Sequence, residues 1–227
     1  MKLKAPALQR LTPVSSRRQM ASGQATTTRN YQDRPGNSIY YSTPNFSGFS
    51  AAASYSFGEN KTATVDAGSI VSANIQYAGG PFAVALSHQQ EKATDAQTAA
   101  KFTQLNGSWD FRVVKLLAAY GQVKNGSTGL FLASPANVAV NKSQEYQIGV
   151  DVPLGSALTV SGGVSRAKLT LATGGDIKST SVGLAAKYDL SKRTFLYTGL
   201  QLAKNEAAVG NAEIKTDTFA VGVQHKF

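Results

Sequence analysis

The sequence predicts an all-β protein, a transmembrane antiparallel β-barrel, and three observations support this fold class. From Asn37 onward, apolar side chains alternate with polar or small ones in segments of about ten residues. Short turns and longer polar loops separate these segments in alternation. The last segment, residues 217–227, has an apolar face made of Phe219, Val221, Val223, His225 and Phe227. Because successive side chains of a strand point to opposite faces, such segments can meet lipid on one face and water on the other.

The composition narrows the alternatives. The chain has 227 residues, of which 42% are hydrophobic, with no cysteine and a mean hydropathy of -0.18. The lack of a long apolar run excludes a bundle of transmembrane helices. A membrane barrel remains compatible with this hydropathy, because its lumen-facing side chains are polar. The lack of cysteine excludes a disulfide scaffold and a thiolate metal site.

Residues 1–36 form a basic tail that we predict to be disordered, and residues 37–227 form the barrel. The chain carries a net charge of +10, and the tail holds seven basic residues against Asp33 alone. The tail has one tyrosine and no Phe or Trp for base stacking, so no nucleic-acid partner is expected. Lys2 and Lys4 begin like a secretory signal, but prolines and arginines then interrupt every apolar stretch. The sequence therefore predicts no recognisable export signal in this chain.

Turn signals and alternation define the first strands. Residues 38–42 form a short predicted strand, and a tight connection around Pro44 follows it. Residues 49–57 alternate strictly, with aromatic residues at both ends, and residues 69–77 continue the same pattern. A Gly-Gly-Pro turn then leads into a strand that begins at Phe82.

The later strands show the same period, which brings the expected number to about eleven. The clearest is 144–154, and the least regular is 193–204, where Phe195 and Tyr197 are out of phase with the neighbouring leucines. The remaining predicted strands are 101–111, 113–123, 158–165, 181–190 and 217–227.

The connections predict two different rims, one with short turns and one with long loops, as in outer-membrane barrels. Short turns are expected near residues 44, 79–81, 110–112, 153–156 and 189–192. Long polar loops are expected at residues 58–68, 90–99, 125–141, 169–177 and 205–214.

Aromatic residues concentrate near the predicted strand ends, which favours girdles at the two membrane interfaces. The alternative is that strand-forming aromatics simply gather there by propensity. Near the short-turn rim the predicted girdle contains Phe49, Tyr77, Trp109 and Tyr188, with Phe195 and Tyr197 assigned to the same rim. Near the long-loop rim it contains Tyr55, Phe57, Tyr120 and Tyr146.

Five charged residues are expected on the lumen-facing side of the strands, namely Lys115, Glu145, Asp151, Lys187 and Asp189. They would set the electric field of a pore, or else they are ordinary solvated charges on a wet wall. The two histidines have no companions at ligand spacing, since His225 lies on the apolar face and His88 is expected to enter a loop. No serine–histidine–acid arrangement and no phosphate-binding loop is present, so neither an enzyme nor a cofactor or metal is expected.

Residues 37–58, NSIYYSTPNFSGFSAAASYSFG, resemble the general porins of beta-proteobacteria, of the neisserial and Burkholderia type. GVDVPLGSALTVSGGVS, KYDLSKRTFLYTGLQ and the terminal GVQHKF resemble the last strands of the same family. The resemblance implies sixteen-stranded trimers in the bacterial outer membrane, of which this chain would contain the last eleven strands without the constriction loop. It also implies passive diffusion of small hydrophilic solutes and ions, contact with outer-membrane lipid, and Phe227 as the signal for the barrel-insertion machinery. Tyr40 stands where such porins often carry a basic pore residue, so the family's selectivity filter is not expected to be intact.

Other readings of the same strands stay open. A non-conducting structural barrel, a soluble β-protein that displays loops, and a non-functional truncated gene product all fit the alternation. Eleven is an odd number, whereas bacterial single-chain barrels close with an even number of strands. Closure would need a twelfth strand, for which residues 24–31 are the candidate; an incompletely closed sheet is the other expected form.

Overall fold

The computed structural model describes residues 35–94, 98–128, 138–206 and 213–227. In these residues a single 11-stranded sheet follows chain order, and every neighbouring pair is antiparallel, which confirms the predicted fold class. The strands are β1 (Ser38–Ser42), β2 (Phe49–Phe57), β3 (Ala67–Gly79), β4 (Phe82–Thr94), β5 (Ala100–Asp110), β6 (Lys115–Thr128), β7 (Val138–Leu154), β8 (Leu158–Leu171), β9 (Asp176–Asp189), β10 (Thr194–Glu206) and β11 (Glu213–His225). No helix in this part of the chain is long and apolar enough to cross a membrane.

The two faces of the sheet differ in accessibility. On β7, Tyr146 is 55% and Ile148 64% exposed, whereas Glu145 on the opposite face is only 7% exposed. The same inversion holds for Leu184 and Val182, which are exposed, against the buried Ser181. The polar side is therefore the sheltered, inner face and the apolar side is the outer face, the reverse of a soluble protein.

On the outer face the apolar residues form a band of limited height. On β7 this band runs from Tyr146 to Leu154, and Gln144 and Lys142 follow it on the same face. A rise of about 3.4 Å per residue gives about 27 Å along the strand between Tyr146 and Leu154. A strand tilt of about 40° reduces this to about 20 Å, close to the apolar band of about 25 Å in outer-membrane barrels.

The short turns form one rim. Arg112 lies in the left-handed region with φ 72°, and its backbone N–H donates to Asp110 Oδ1 at 2.7 Å. Gly155 has φ 73°, which suits a residue without Cβ. The four-residue segment 190–193 joins β9 to β10, with Leu190 N–H and Ser191 N–H both donating to Thr194 O.

At the other rim the strands run further than the sequence predicted. Residues 169–177 were expected to be a loop, but β8 continues to Leu171 and β9 begins at Asp176, which leaves a tight turn with Gly174 and Gly175 at positive φ. Likewise β4 continues to Thr94 inside the expected loop 90–99. Polar outer-face residues end the hydrophobic pattern there, but they do not interrupt the backbone hydrogen bonds of the sheet.

The sheet is not closed in the described residues, because β1 pairs only with β2 and β11 only with β10. The candidate twelfth strand at residues 24–31, like the remainder of 1–34, lies outside the described residues. The prediction that residues 1–36 are a disordered tail therefore stays a prediction.

Candidate pore wall and its outer surface

The inner face near the short-turn rim carries a row of charged and small residues across several strands. Lys115 lies opposite Asp110 on β5 and opposite Asp151 on β7, and Asp151 lies opposite Ser161 on β8. The Ser161 hydroxyl donates to Asp151 Oδ1 at 2.7 Å. The structure thus brings Lys115 and Asp151 together on one register row, which alternation alone does not reveal.

A second charged group lies on the same face of β9 and β10. Lys187 Nζ is 2.5 Å from Asp189 Oδ2 and 5.5 Å from the centroid of the Phe195 ring. Phe195 lies directly opposite Asp189, and Tyr197 lies opposite Lys187. Carboxylate and ring together hold the ammonium close to the wall.

Phe195 and Tyr197 therefore correct the aromatic assignment. Their positions opposite Asp189 and Lys187 put both on the inner face, and Phe195 is 8% exposed. The phase shift against Leu196 was the available signal. The Tyr197 ring lies over Gly222 of β11, where a Cβ would come within 2.5 Å of the ring atoms. Glycine is thus required for this cross-strand contact.

Glu145 is the most sheltered of the five predicted lumen charges. It lies between Gly121 of β6 and Ala167 of β8, which leave room for its side chain. Acidic residues outnumber basic ones on the inner face of the strands. The acidic set is Glu91, Asp110, Glu145, Asp151 and Asp189, and the basic set is Lys115 and Lys187.

Hydroxyl and amide groups share the remaining inner face with small residues and with a buried apolar cluster of Val140, Ala167, Leu169 and Ile177. Ser72 donates to Gln89 Oε1 at 2.8 Å, and Gln89 Nε2 donates to Glu91 Oε1 at 2.6 Å. Further along, the hydroxyls of Ser165 and Ser181 are 3.1 Å apart. Within the described ranges no group of three or more His, Cys, Asp or Glu residues is arranged to hold a metal ion.

Three polar atoms of the inner face are buried without a hydrogen-bond partner in the part of the chain that the structure describes: Ser87 Oγ, Asn106 Nδ2 and Ser143 Oγ. Dry protein interiors rarely leave such atoms unsatisfied.

Aromatic rings form a continuous ladder on the outer face near the short-turn rim. The ring centroids are 4.6 Å apart for Phe49–Tyr77, 6.3 Å for Tyr77–Phe82, 5.7 Å for Phe82–Trp109 and 5.8 Å for Trp109–Phe111. Tyr188 lies at the same rim on β9, opposite Leu196. Rings of this kind suit the boundary between lipid tails and water.

A second aromatic group lies toward the opposite rim. The Tyr120 and Tyr146 rings are 5.1 Å apart, and the amides of Gln122 and Gln144 both donate to the Tyr120 hydroxyl, at 3.1 and 3.0 Å. Tyr55 and Phe57 contact each other on β2 with centroids 4.8 Å apart. The apolar band ends at these tyrosines.

The histidines are strand residues on the outer face. His88 lies inside β4, not in a loop as predicted, and its Nδ1 is 2.8 Å from Thr103 Oγ1. His225 Nδ1 is likewise 2.8 Å from Thr194 Oγ1, near the chain end at Phe227. Each imidazole thus has a cross-strand hydroxyl partner, which explains a polar ring on this face.

An antiparallel sheet with an apolar outer face, a polar inner face and aromatic belts at both ends defines the class of outer-membrane β-barrel walls. The model of the Gram-negative porin family matches residues 11–208, so the chain belongs to that family. Membership agrees with the resemblance drawn from the sequence and puts the chain among proteins of the bacterial outer membrane.

The chain is similar to two curated outer-membrane porins. It is 33% identical to an outer membrane porin protein of Bordetella pertussis over 84% of this chain and 57% of that protein. It is 30% identical to outer membrane porin protein 32 of Delftia acidovorans over 93% of this chain and 58% of that protein. The chain therefore spans less than two thirds of the length of either relative.

Solved structures share the fold. The OmpF of Salmonella typhi, solved with daunomycin, superimposes with a TM-score of 0.65 over 94% of this chain and 68% of that one, at 16% identity. The trimer form of OmpT of Vibrio cholerae superimposes with a TM-score of 0.62 over 93% of this chain and 74% of that one, at 12% identity.

Proposed function

We propose that this chain forms part of the wall of a diffusion pore through which small hydrophilic solutes and ions pass down their gradients. The observation that carries the proposal is the inverted accessibility of β7, with Tyr146 and Ile148 on the outside and Glu145 sheltered inside. A polar inner face on such a strand is expected where the lumen is filled with water. Membership of the Gram-negative porin family supports the same role.

Passage through such a lumen needs no covalent chemistry, so we propose a non-enzymatic role. Sieving is steric and electrostatic. The acidic excess of the inner face, with Glu145 and Asp151 as its central members, favours cations over anions in the part of the wall that these strands form.

Partners follow from the same proposal. Outer-membrane lipid would cover the apolar band, and the exposed Phe227 would serve as the recognition residue for the barrel-insertion machinery. A homotrimer is the proposed assembly, supported by the fold shared with the trimer form of OmpT.

Planar-bilayer recordings of the detergent-refolded chain test the pore. We expect discrete conductance steps, and a heat-modifiable folded band without conductance would instead indicate a non-conducting barrel. If the chain remains folded and dissolved without detergent, the membrane assignment is wrong.

Reversal potentials in a salt gradient test the charge of the wall. The double substitution Glu145→Gln and Asp151→Asn should reduce the preference for cations, because it removes two inner-face carboxylates. The matched control is Glu213→Gln with Asp217→Asn, which changes the charge equally on the outer face and should leave the reversal potential within the error of the unmodified chain. Equal shifts in both variants would contradict the proposed orientation.

A further inference from the structure

The loop-side ends of β10 and β11 carry four charged residues on the outer face, beyond the apolar band that ends at Leu202 on β10. Lys204 lies directly opposite Lys215, and Glu206 lies directly opposite Glu213. Like charges directly opposite each other on adjacent strands weaken the pairing of those strands. The pairing of these two strand ends therefore depends on charge contacts between positions that are not directly opposite.

Glu213 relieves this opposition, because its carboxylate contacts both lysines. Its Oε2 is 2.8 Å from Lys204 Nζ, and its Oε1 is 3.1 Å from Lys215 Nζ. Glu206 contacts Lys204 at 3.2 Å, but these two residues lie on the same strand. Among these three ion pairs, only the contact between Lys204 and Glu213 joins β10 to β11. We call Lys204, Glu213 and Lys215 the clasp.

The charged groups that face Glu213 on this side of the sheet come from three strands. They are Lys204 and Glu206 of β10, Lys215 and Asp217 of β11, and Lys178 of β9, which lies opposite Glu206. Residues 207–212, between the two strands, contain no titratable side chain. When Glu213 is protonated, Glu206 still contacts Lys204, but Lys215 loses the carboxylate that it contacts in the described part of the chain.

The clasp holds at neutral pH and weakens in acid. Hydrogen bonds from Lys204 and then from Lys215 hold the pKa of the Glu213 carboxyl below its ordinary value of 4.5. A carboxyl whose pKa is lowered by folding stabilises the folded state above that pKa, and this stabilisation is lost as the pH falls through it. Below this range the two ammonium groups remain opposite each other without a shared carboxylate.

Little other packing holds the two strand ends together. Residues 213–219 of β11 are all exposed. The ends of β8 and β9 have the same kind of opposition, with Lys168 directly opposite Lys178. There, however, the neighbouring residues Leu169 and Ile177 belong to the buried apolar cluster of the inner face. The β8–β9 end therefore has apolar packing in addition to charge contacts, whereas the β10–β11 end depends on the clasp.

We propose that acid releases the clasp: protonation of Glu213 leaves the ammonium groups of Lys204 and Lys215 facing each other and separates the loop-side ends of β10 and β11. The remainder of the hairpin stays paired, because apolar residues such as Leu200 and Phe219 lie directly opposite each other further along the outer face. This conformational change is independent of conduction through the lumen, which bilayer recordings at neutral pH test separately.

Spin labels on the two strands test the inference, since the chain has no cysteine of its own. Asn205→Cys with Ile214→Cys puts two labels on directly opposite inner-face positions at the clasp end. In the detergent-folded full chain, acidification from about pH 7 to about pH 3 should reversibly remove the dipolar broadening between these labels. The midpoint should lie below 4.5, the ordinary pKa of a glutamate. A second pair, Leu200→Cys with Phe219→Cys, should keep its broadening.

Three single substitutions, each combined with the first label pair, separate the clasp from general acid denaturation. Glu213→Gln should remove most of the broadening already at neutral pH and leave little further change in acid. Lys215→Gln should keep the broadening in acid, because no second ammonium group then opposes Lys204. The matched control is Glu206→Gln, which removes the same charge from the same face without breaking the link between the strands. It should behave like the unmodified chain.

Salt provides a further test on the unmodified chain. At about 1 M salt, where the screening length falls to about 3 Å, the loss of broadening in acid should be smaller, because the repulsion between the two lysines is screened. Four results would overturn the inference: broadening that persists in acid, simultaneous loss at both label pairs, equal effects of Glu206→Gln and Glu213→Gln, or acid opening of the Lys215→Gln variant. The two label pairs and the salt series are sufficient should a variant fail to fold.

Discussion

The inner and outer faces of the strands use charge in different ways. On the inner face, charges stand singly or in close pairs, as with Lys187 and Asp189, and small residues separate them. On the outer face, charge is excluded from the apolar band and then appears abruptly beyond the tyrosines, as at Lys124 and Lys142. Water tolerates a charge at any height of a pore wall, whereas a bilayer tolerates it only at the head groups. The difference in pattern between the two faces of one sheet therefore supports the proposal that the outer face meets lipid.

The largest effect is expected from a charge placed inside the apolar band. Ile148→Arg should lower the free energy of unfolding by about 2–4 kcal/mol, because it puts an arginine on the lipid face near the middle of the band. The neighbouring substitution Gln147→Arg puts the same side chain on the inner face and should change it by less than about 1 kcal/mol. Urea titration in lipid vesicles measures both free energies of unfolding. Similar decreases for the two variants would mean that the two faces are in contact with the same medium.

A smaller effect, of the opposite sign, is expected where Lys124 lies directly opposite both Lys101 and Lys142 on the outer face. Lys124→Glu converts both like-charge pairs, with Lys101 and with Lys142, into opposite-charge pairs. It should stabilise the chain in neutral detergent at low salt by about 0.5–2 kcal/mol. The gain should largely disappear at about 1 M salt, where the screening length falls to about 3 Å. Destabilisation in low salt would show that the three ammonium groups do not repel each other.

The smallest effect is expected at the boundary between the band and the charged surface. Tyr120→Phe removes the hydroxyl that accepts hydrogen bonds from Gln122 and Gln144, and should destabilise the chain by about 1 kcal/mol. Tyr146→Phe is the control, since its hydroxyl makes no hydrogen bond in the described part of the chain, and should change stability by less than about 0.5 kcal/mol. Equal losses measured by urea titration would assign the effect to ring burial and not to the two amides.

The sequence pattern predicted the number of strands and which residues of most strands lie on the same face. This is possible because a period of two can be recognised without knowing the partner strand. The pattern misjudged strand ends, as at Leu171 and Asp176, because the alternation of apolar and polar residues ends with the apolar band while backbone pairing continues. Phe195 was misplaced because a large ring beside a turn suggests an interfacial position, although its phase against Leu196 puts it on the inner face.

The alignment of three outer-face lysines could not be predicted for a related reason. Lys101, Lys124 and Lys142 are widely separated in sequence, and only the registers of two successive strand pairs align them. Turn geometry and connection length set those registers, and neither can be deduced from the alternation of apolar and polar residues. The same limit hid the pairing of Lys115 with Asp151.

Trp109 gives the molecule an optical marker of one rim. It is the single tryptophan of the 227 residues, and it stacks against Phe111 near the short turns. Tryptophan fluorescence of this protein therefore reports the environment at one level of the wall. Quenchers attached at successive carbons of a lipid chain would measure the depth of Trp109 in the bilayer. A dye confined to one compartment would show which rim faces that compartment.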